Sequence, residues 1–322
     1  MTDAQGRIID YMRISITDRC NLRCKYCMPD DLPSVCHHNI LRYEEILQIC
    51  AAATGLGIRK FRVTGGEPLV RRGFLDFLKQ LKRLPGAESV AVTTNGVLLE
   101  PCLGDLAAMG LDGINISLDT LNPQTYRELT GTDALDTVLS SIHKAVEANL
   151  RVKLNCVPLQ GMNDGELPRI AALAETLPVD VRFIELMPTA AGRHFRPVPG
   201  ERVRSILRER YPDLHPVTER RGSGPARYEQ SGSLLGRIGY IDALTGHFCG
   251  ACNRIRLTGE GFLKLCLYHD AGVSLRELVR SGATAQELQQ VMAAAIGGKP
   301  EHHYFGDAGM QGGIGKMSRI GG

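Results

Sequence analysis

The sequence lacks the features that mark membrane, secreted or nucleic-acid-binding proteins. No apolar run approaches the length of a membrane span. The first ten residues, MTDAQGRIID, contain no apolar core of a signal peptide. The net charge is only +3 and aromatic residues make up 5% of the chain, so no aromatic-rich basic face for nucleic acid is expected. The sequence therefore predicts a cytoplasmic protein that binds neither membrane nor nucleic acid.

The chain also lacks the composition of a disordered protein. Its 322 residues are 43% apolar and 23% charged, which is ordinary for a soluble globular protein. In such a protein the ten cysteines indicate metal ligands or buried thiols before disulfides. Cys50 and Cys156 lie in apolar segments and are predicted core residues. The roles of Cys36 and Cys102 stay unassigned.

Six short β-patterned runs precede residue 190 and alternate with helical patterns. The runs are RISIT (13–17), KFRVT (60–64), VAVTT (90–94), GINISL (113–118), RVKLNCV (151–157) and VRFIEL (181–186). The predicted helices cover 43–56, 74–84, a stretch from Pro123 toward Ala148, and 166–177. This alternation predicts a parallel sheet with helices outside, either open and doubly wound or an incomplete barrel. In both folds the chemistry collects at the C-terminal ends of the strands.

The composition changes after about residue 190. The polar, glycine-rich stretch 216–233 predicts a long loop, and two short strands are predicted at 236–242 and 254–260. We therefore predict a larger domain over 1–215 and a smaller C-terminal domain over 216–322. Seven glycines in residues 306–322 favour a flexible tail on composition alone.

Three cysteines follow the first predicted strand with the spacing C-x3-C-x2-C. They are Cys20, Cys24 and Cys27, here called the first trio. Three thiolates leave one iron of a four-iron cluster without a protein ligand, and that iron can bind an outside molecule. The alternative is a zinc site completed by a distant ligand such as His37 or His38, although this spacing is poor for zinc.

A second set of three cysteines lies near the end of the chain with the spacing C-x2-C-x13-C. They are Cys249, Cys252 and Cys266, here called the second trio. The same two interpretations apply: a cluster with an open iron, or half of a zinc ribbon completed by His247 or His269.

Several basic residues lie in predicted strands. Arg254 and Arg256 would share one face of a strand, with Ile255 and Leu257 behind. Two guanidiniums beside a metal site suit a polyphosphate or a carboxylate, although a solvated strand face is the plainer interpretation. A buried charge in a parallel strand is costly unless an anion meets it. We therefore predict a basic cavity, lined by Arg13, Arg62, Lys153, Arg254 and Arg256.

The first trio, with Tyr26 before its last cysteine, resembles the signature of the radical S-adenosylmethionine enzymes. The motifs TGGEP (64–68) and SLD (117–119) and the strand-end Met187 also resemble that superfamily. Within it, the chain resembles the MoaA family, the GTP 3′,8-cyclases of molybdenum cofactor biosynthesis. This resemblance runs through FRVTGGEPLVR, TTNG, NISLD, RFIELM and FCGACNRIRLT to the terminal Gly321–Gly322.

The resemblance implies an α/β fold, an incomplete (β/α)6 TIM-type barrel closed by a smaller C-terminal domain carrying a second cluster. It implies a lyase with two [4Fe-4S] clusters and S-adenosyl-L-methionine. The cofactor would give a 5′-deoxyadenosyl radical that takes hydrogen from ribose C3′ of GTP, after which C3′ bonds to C8 of guanine. The product would be (8S)-3′,8-cyclo-7,8-dihydroguanosine 5′-triphosphate.

The resemblance also implies roles for individual residues. The two trios would each hold one cluster. S-adenosylmethionine would contact Tyr26, Gly66, Ser117 and Met187. GTP would contact Arg13, Arg62, Thr93, Lys153, Arg254, Ile255 and Arg256. The tail would reach into the site with Arg319, Gly321 and Gly322, against the expectation from composition. The loop after the first trio, with His37–His38, departs from the family pattern.

The implied partners are GTP, a reductase or flavodoxin-type electron donor, and the next enzyme, cyclic pyranopterin monophosphate synthase. A homodimer is compatible with the family. Two other functions are considered. One is a radical enzyme that modifies a peptide, against which the Arg-x-Arg pair and the Gly-Gly end argue. The other is a non-catalytic zinc module that binds a nucleotide or RNA, against which the low net charge argues.

Overall fold

The structure is a computed structural model that describes residues 1–28, 35–188, 191–219, 221–246 and 248–303. The strands in these residues are β1 Tyr11–Ser15, β2 Lys60–Thr64, β3 Ser89–Thr94, β4 Gly113–Ser117, β5 Val152–Cys156, β6 Asp180–Ile184, β7 His215–Val217, β8 Arg227–Gln230, β9 Ile238–Ile241, β10 Arg254–Leu257, β11 Phe262–Lys264 and β12 Gly272–Ser274. The helices are α1 Tyr43–Gly55, α2 Phe74–Lys82, α3 Leu103–Ala108, α4 Pro123–Thr130, α5 Leu135–Glu147, α6 Leu167–Ala171, α7 Leu173–Thr176, α8 Gly200–Arg210, α9 Arg276–Arg280 and α10 Ala285–Gly297. No helix among them is long and apolar enough to cross a membrane.

Strands β1 to β6 pair in parallel in chain order and form the predicted incomplete barrel. Alternate residues such as Ile14, Phe61 and Ile116 are fully or almost fully buried and belong to the core that the helices cover. The residues between them point to the other face of the sheet, since side chains alternate along a strand. The polar face of these strands therefore lines the inside of the barrel.

The C-terminal strands extend the sheet at both edges. Strand β10 pairs in parallel with β1 and is followed by β11 and β12 in antiparallel order. Strand β9 pairs in parallel with β6 and is followed by β8 and β7. Residues on both sides of position 215 thus share one twelve-stranded sheet within the described part of the chain. The division into domains at that position stays a prediction.

Two predictions from the residue pattern were wrong. The stretch 216–233 is not one long loop, because β8 and most of β7 lie within it and pair with each other. The helical stretch from Pro123 toward Ala148 divides into α4 and α5, since the chain turns at Gly131 with a φ of 76°. The predicted start of this helical stretch was correct. The Asn122 side chain accepts hydrogen bonds from the backbone N–H groups of Gln124 and Thr125 and so caps α4.

Candidate active site

A cavity of about 210 Å³ lies at the C-terminal ends of the strands. The first trio lines it from the loop after β1, together with predicted cofactor contacts from the same loop and from three other segments. Those contacts are Tyr26, Gly66, Ser117 and Met187, and the predicted substrate contact Thr93 also lies on the wall. The structure therefore brings together side chains that are up to 167 residues apart in sequence, from Cys20 to Met187.

The loop of the first trio is held against helix α4. The N–H groups of Arg23 and Lys25 donate to the carbonyls of Thr130 and Leu129 over 2.8 and 2.9 Å. The sulfur of Cys20 accepts from Leu22 N at 3.4 Å and from Asn95 Nδ2 at 3.7 Å. Donors aimed at a sulfur stabilise its thiolate form, which is the form that binds metal.

Burial opposes ionisation of the first trio. It raises the pKa of Cys20, and it raises the pKa of Cys24 well above its usual value, with the charge of Cys27 adding to the effect. Burial, and next the charge of Cys20, raises the pKa of Cys27 to about 12. Three thiolates in surroundings that disfavour each negative charge therefore need a bound cation to exist together, as in a metal site.

The glycines of TGGEP allow two loops to approach closely. A Cβ on Gly66 would lie 2.3 Å from the carbonyl oxygen of Arg19, and one on Gly65 would lie 2.7 Å from that of Thr17. The N–H of Gly66 donates to Thr17 O at 2.7 Å. These glycines thus seat the turn after β2 directly against the first trio's loop.

Tyr26 is tied to Asp119, a residue that the sequence analysis did not single out beyond the SLD motif. The Tyr26 hydroxyl donates to Asp119 Oδ2 at 2.5 Å, and the N–H of Val157 donates to Oδ1 at 2.8 Å. Burial raises the pKa of Asp119 to about 6 although both hydrogen bonds favour its charge. Its position just beyond the end of β4 was the signal that could have identified it.

Glu67 joins the ends of β2 and β3 beneath the cavity. It is fully buried and accepts from Thr94 Oγ1 at 2.8 Å, Asn95 N at 2.7 Å and Leu69 N at 3.1 Å. Burial raises its pKa to about 7 despite these three bonds. Glu67 thereby positions Asn95 beside the sulfur of Cys20.

Three arginines stand side by side across β10, β1 and β2. Arg256 is the register partner of Arg13, which is the partner of Arg62; together they are here called the arginine row. Arg62 Nε donates to Tyr11 Oη at 2.5 Å, while its buried Nη1 finds no acceptor among the described residues. Burial lowers the pKa of Arg13 to about 10 and that of Arg256 well below its usual value. Such a concentration of buried positive charge suits a polyanion.

The strand predicted at 254–260 is present but ends at Leu257, and Ile255 and Leu257 are fully buried in the core. Any contact of Ile255 with a ligand in the barrel would therefore use its main chain. The guanidinium of Arg254 lies 4.8 Å from the centre of the Phe248 ring.

Lys153 lies in a different setting from the arginine row. Its ammonium is 3.4 Å from Asp180 and donates to Arg221 O at 2.6 Å and Tyr228 Oη at 3.0 Å. Burial lowers the pKa of Lys153 to about 8, with the charge of Arg182 adding to the effect. Asp180 thus supplies, from within the protein, the negative charge that offsets the burial of Lys153.

Arg182 was missed by the sequence analysis although β6 carried the same signal as β1 and β2, a buried strand interrupted by arginine. It is buried and donates to Asn155 Oδ1 at 2.5 Å. Its buried Nε finds no acceptor in the part of the chain that the structure describes.

The second trio surrounds the start of β10. Cys249 lies in a short 3-10 helix, Phe248–Ala251, and Cys266 follows β11. Burial raises the pKa of the Cys252 thiol, but the charges of Arg254 and Lys299 outweigh burial and lower the pKa to about 7.

The alternative zinc ligands do not gather around either trio within the described residues. No three His, Cys, Asp or Glu side chains among them converge on one ion. His37, His38 and Cys36 are exposed, and His269 Nε2 lies 2.9 Å from the carbonyl of His302. Cys50 and Cys156 are fully buried as predicted, and Cys102 is half-buried.

Some predicted site residues lie outside the described residues. They are the alternative zinc ligand His247 and the tail residues Arg319, Gly321 and Gly322.

Comparison with known proteins agrees with this geometry. The sequence profile described as Radical SAM superfamily matches residues 14–174. The GTP 3′,8-cyclase of Heliobacterium modesticaldum is 45% identical to this chain, and the alignment covers 100% of both proteins.

The chain belongs to the GTP 3′,8-cyclase family.

Further matches extend this result. A second profile, Molybdenum Cofactor Synthesis C, matches residues 179–305. The GTP 3′,8-cyclase of Clostridium perfringens strain SM101 is 42% identical over 95% of each protein. Human Molybdenum cofactor biosynthesis protein 1 is 43% identical over 94% of this chain and 48% of the human protein. Streptococcus suis SuiB bound to S-adenosylmethionine has the same fold, with a TM-score of 0.64 at 12% identity over 88% of this chain and 68% of SuiB.

Membership of this radical S-adenosylmethionine family implies a [4Fe-4S] cluster and S-adenosylmethionine. The observed residues fit such a group: three half-buried cysteines face one cavity and supply three thiolates, one fewer than a four-iron cluster can accept.

Proposed function

We infer that this protein is a GTP 3′,8-cyclase, the enzyme that converts GTP into 3′,8-cyclo-7,8-dihydro-GTP at the start of molybdenum cofactor biosynthesis. The observation that carries the inference is the arginine row, which lies in the same barrel as the first trio's cavity and whose Arg256 lies in β10, between Cys252 and Cys266 of the second trio. A triphosphate carries the kind of negative charge that guanidinium groups bind well. The relatives at 39–45% identity with that activity support the same reaction.

At the first site, Cys20, Cys24 and Cys27 would hold a [4Fe-4S] cluster, and Tyr26, Gly66, Ser117 and Met187 would contact S-adenosylmethionine. When bound, these groups supply a 5′-deoxyadenosyl radical to the ribose of GTP. The protein's own task is to fix the loops that carry these residues. The hydrogen bond from Tyr26 to Asp119 and the three bonds to Glu67 do so from two sides.

At the second site, Cys249, Cys252 and Cys266 would hold a second [4Fe-4S] cluster with an open iron. The lowered pKa of Cys252, caused by Arg254 and Lys299, supports a site that holds thiolates. An open iron beside the arginine row would place a nucleobase and its triphosphate in one continuous site.

The arginine row, with Arg254, Thr93, Lys153 and the main chain of Ile255, would hold GTP. Because Lys153 already pairs with Asp180, we expect its contribution to GTP binding to be smaller than that of the arginines. Arg182 adds a further buried guanidinium on the same barrel face. The protein would thus orient C3′ and C8 toward each other and exclude water while the bond forms.

The remaining predictions belong to the same proposal. The tail would bring Arg319, Gly321 and Gly322 into the site. A flavodoxin or a reductase would supply electrons, and the product would pass to cyclic pyranopterin monophosphate synthase in the cytoplasm. The domain boundary at residue 215 and a homodimer are also part of it.

The test uses the full chain reconstituted anaerobically with iron and sulfide, then given S-adenosylmethionine, a strong reductant and GTP deuterated at C3′. The expected result is deuterium in 5′-deoxyadenosine together with an isomer of GTP separated by chromatography. The isomer would contain one hydrogen from solvent in place of the transferred deuterium, because one hydrogen isotope leaves C3′ and one hydrogen is added on reduction. Unlabelled 5′-deoxyadenosine with GTP untouched would reject GTP as the substrate.

A further inference from the structure

Two buried cations lie on the side of the second trio where the chain's N-terminal segment meets residues 299–301. Arg7 is 7% exposed and its Nη1 donates to Cys249 O at 3.1 Å and Glu301 O at 2.8 Å. Its Nη2 donates to Pro300 O at 2.8 Å and Lys299 O at 3.2 Å. One side chain therefore fixes the peptide of the first ligand to the segment that carries the second cation.

Lys299 is the second cation and is 3% exposed. Its Nζ donates to Arg254 O at 2.9 Å and to Leu265 O. Leu265 immediately precedes Cys266, and Arg254 is two residues beyond Cys252. Arg7 and Lys299 together thus restrain the backbone at or beside all three cysteines of the second trio.

The two cations differ in how their charge is balanced. Arg7 Nε pairs with the buried carboxylate of Asp3 at 2.6 Å. The acceptors of Lys299 are neutral carbonyls, and no carboxylate in the described ranges forms an ion pair with it. The acidic groups whose charges act on it are the thiols of Cys252 and Cys266. A buried ammonium without an anion is costly, so its position favours an anionic group between these two cysteines.

We propose that Lys299 is a positioning residue for the second cluster, that it supplies the counter-charge for its thiolates, and that it raises the reduction potential of that cluster. Arg7 would fix the peptide of Cys249 to the segment that carries Lys299. This inference rests on the second cluster of the proposed function. A fixed positive charge in a low-dielectric site stabilises the state with one more electron, and net charge and hydrogen bonds set cluster potentials.

The test compares Lys299→Met, Lys299→Gln and Lys299→Arg in the reconstituted full chain. Iron and sulfide are counted, and both clusters are titrated with a reductant while their electron paramagnetic resonance signals are followed. The reduction equilibrium of the second cluster should shift at least tenfold toward the oxidised state in the two neutral variants, which is about 59 mV for a one-electron couple. In Lys299→Arg the shift should stay below threefold. The first cluster serves as the internal control and should not shift.

Three outcomes decide the charge role. A second cluster that is present in a neutral variant with an unshifted potential overturns it. If Lys299→Met loses the cluster, Lys299→Gln decides, because its amide can still donate to a carbonyl. A wild-type chain with only one cluster overturns both this inference and the second cluster of the proposed function. A shift in the potential of the second cluster that occurs only in the neutral Lys299 variants supports both the charge role of Lys299 and the presence of the second cluster.

The positioning part is tested with Arg7→Lys, which keeps the charge but loses the forked set of donors. We expect its iron content to fall toward half of the wild-type value. Gln5→Ala is the matched control, because it removes only the 3.2 Å contact from Arg7 Nη2 to Gln5 Oε1. Full iron content in Arg7→Lys would overturn the positioning role of Arg7.

Discussion

The two trios have similar ligands and opposite surroundings. The first trio lies beside the buried carboxylates of Asp119 and Glu67, and burial raises the pKa of each of its thiols. The second trio lies among Arg7, Arg254 and Lys299, and nearby positive charge lowers the pKa of Cys252 to about 7. A site that resists negative charge should hold a cluster that is harder to reduce. The comparison teaches that cysteine spacing predicts a cluster, while the neighbours determine its electrochemistry.

The largest expected effect separates the chemical tasks of the two trios. Cys24→Ala should reduce 5′-deoxyadenosine formation to background, because the cofactor would lose its cluster. Cys252→Ala should retain 5′-deoxyadenosine formation and lose the cyclised product. Both products are quantified by mass spectrometry in the same reactions. Equal loss of 5′-deoxyadenosine in both variants would contradict this division of roles.

A second prediction concerns the arginine row. Arg256→Met should lower kcat/KM for cyclised product by about 10- to 150-fold, since a hydrogen bond to a charged group contributes about 1.5–3 kcal/mol. Cleavage of S-adenosylmethionine should remain. Arg210→Met is the matched control, because Arg210 pairs with Glu175 on the surface. If both variants make product at the wild-type rate, the row does not bind the substrate.

Glu67 makes the surroundings of the first trio sensitive to pH. Its pKa is about 7 in the fold, against about 4.3 for an ordinary glutamate, so the protonated form is favoured by folding. Its contribution to stability is therefore present below about pH 4.3 and is lost as the pH rises to about 7. Glu67→Gln should lose this dependence, and its stability relative to wild type should improve between pH 5 and pH 8. Urea unfolding of the cluster-free chain measures the free energy of unfolding of both proteins across this pH range. A difference between them that does not change with pH would refute the prediction.

The smallest expected effect concerns the turn that contacts the first trio's loop. Gly66→Ala should destabilise the protein by about 1–3 kcal/mol, because the new methyl would meet the carbonyl of Arg19 at 2.3 Å. Gly104→Ala is the matched control, since its Cβ meets nothing within 4 Å and Gly104 lies in α3. The control should be neutral or stabilising by up to about 1 kcal/mol. The thermal unfolding midpoints of both variants show whether the destabilisation comes from the clash at Gly66 or from replacing any glycine by alanine.

Local patterns predicted the parts of the molecule that depend on neighbouring residues. All six strands from β1 to β6 were correct within two residues, as were α1 and the cap at Asn122. The positions of the first trio and TGGEP at strand ends could also be predicted, because the local pattern shows where β1 and β2 end. The start of β1 at Tyr11 was missed, since Tyr11 pairs with Lys60 of β2 and with Arg254 of β10, contacts that the local sequence does not show.

Long-range contacts determined what could not be predicted. The short strands β7 and β8 carry no alternation of their own and exist because β8 pairs with β9. Arg7 and Lys299 look like surface residues in the sequence, yet each is buried by segments nearly 300 residues away. Asp119 gains its role only when the loop bearing Tyr26 folds over it. Such partners are a property of the folded chain.

The pairing of β1 with β10 also sets an order of assembly during synthesis. The pairing joins residues 11–14 of β1 to residues 254–257 of β10. The two strands can therefore pair only after most of the chain has left the ribosome. A nascent chain that ends at residue 253 carries the first trio, Arg13 and Arg62, but it lacks Arg256 and the last cysteine of the second trio, Cys266. The arginine row is therefore completed only late in synthesis, when β10 pairs with β1.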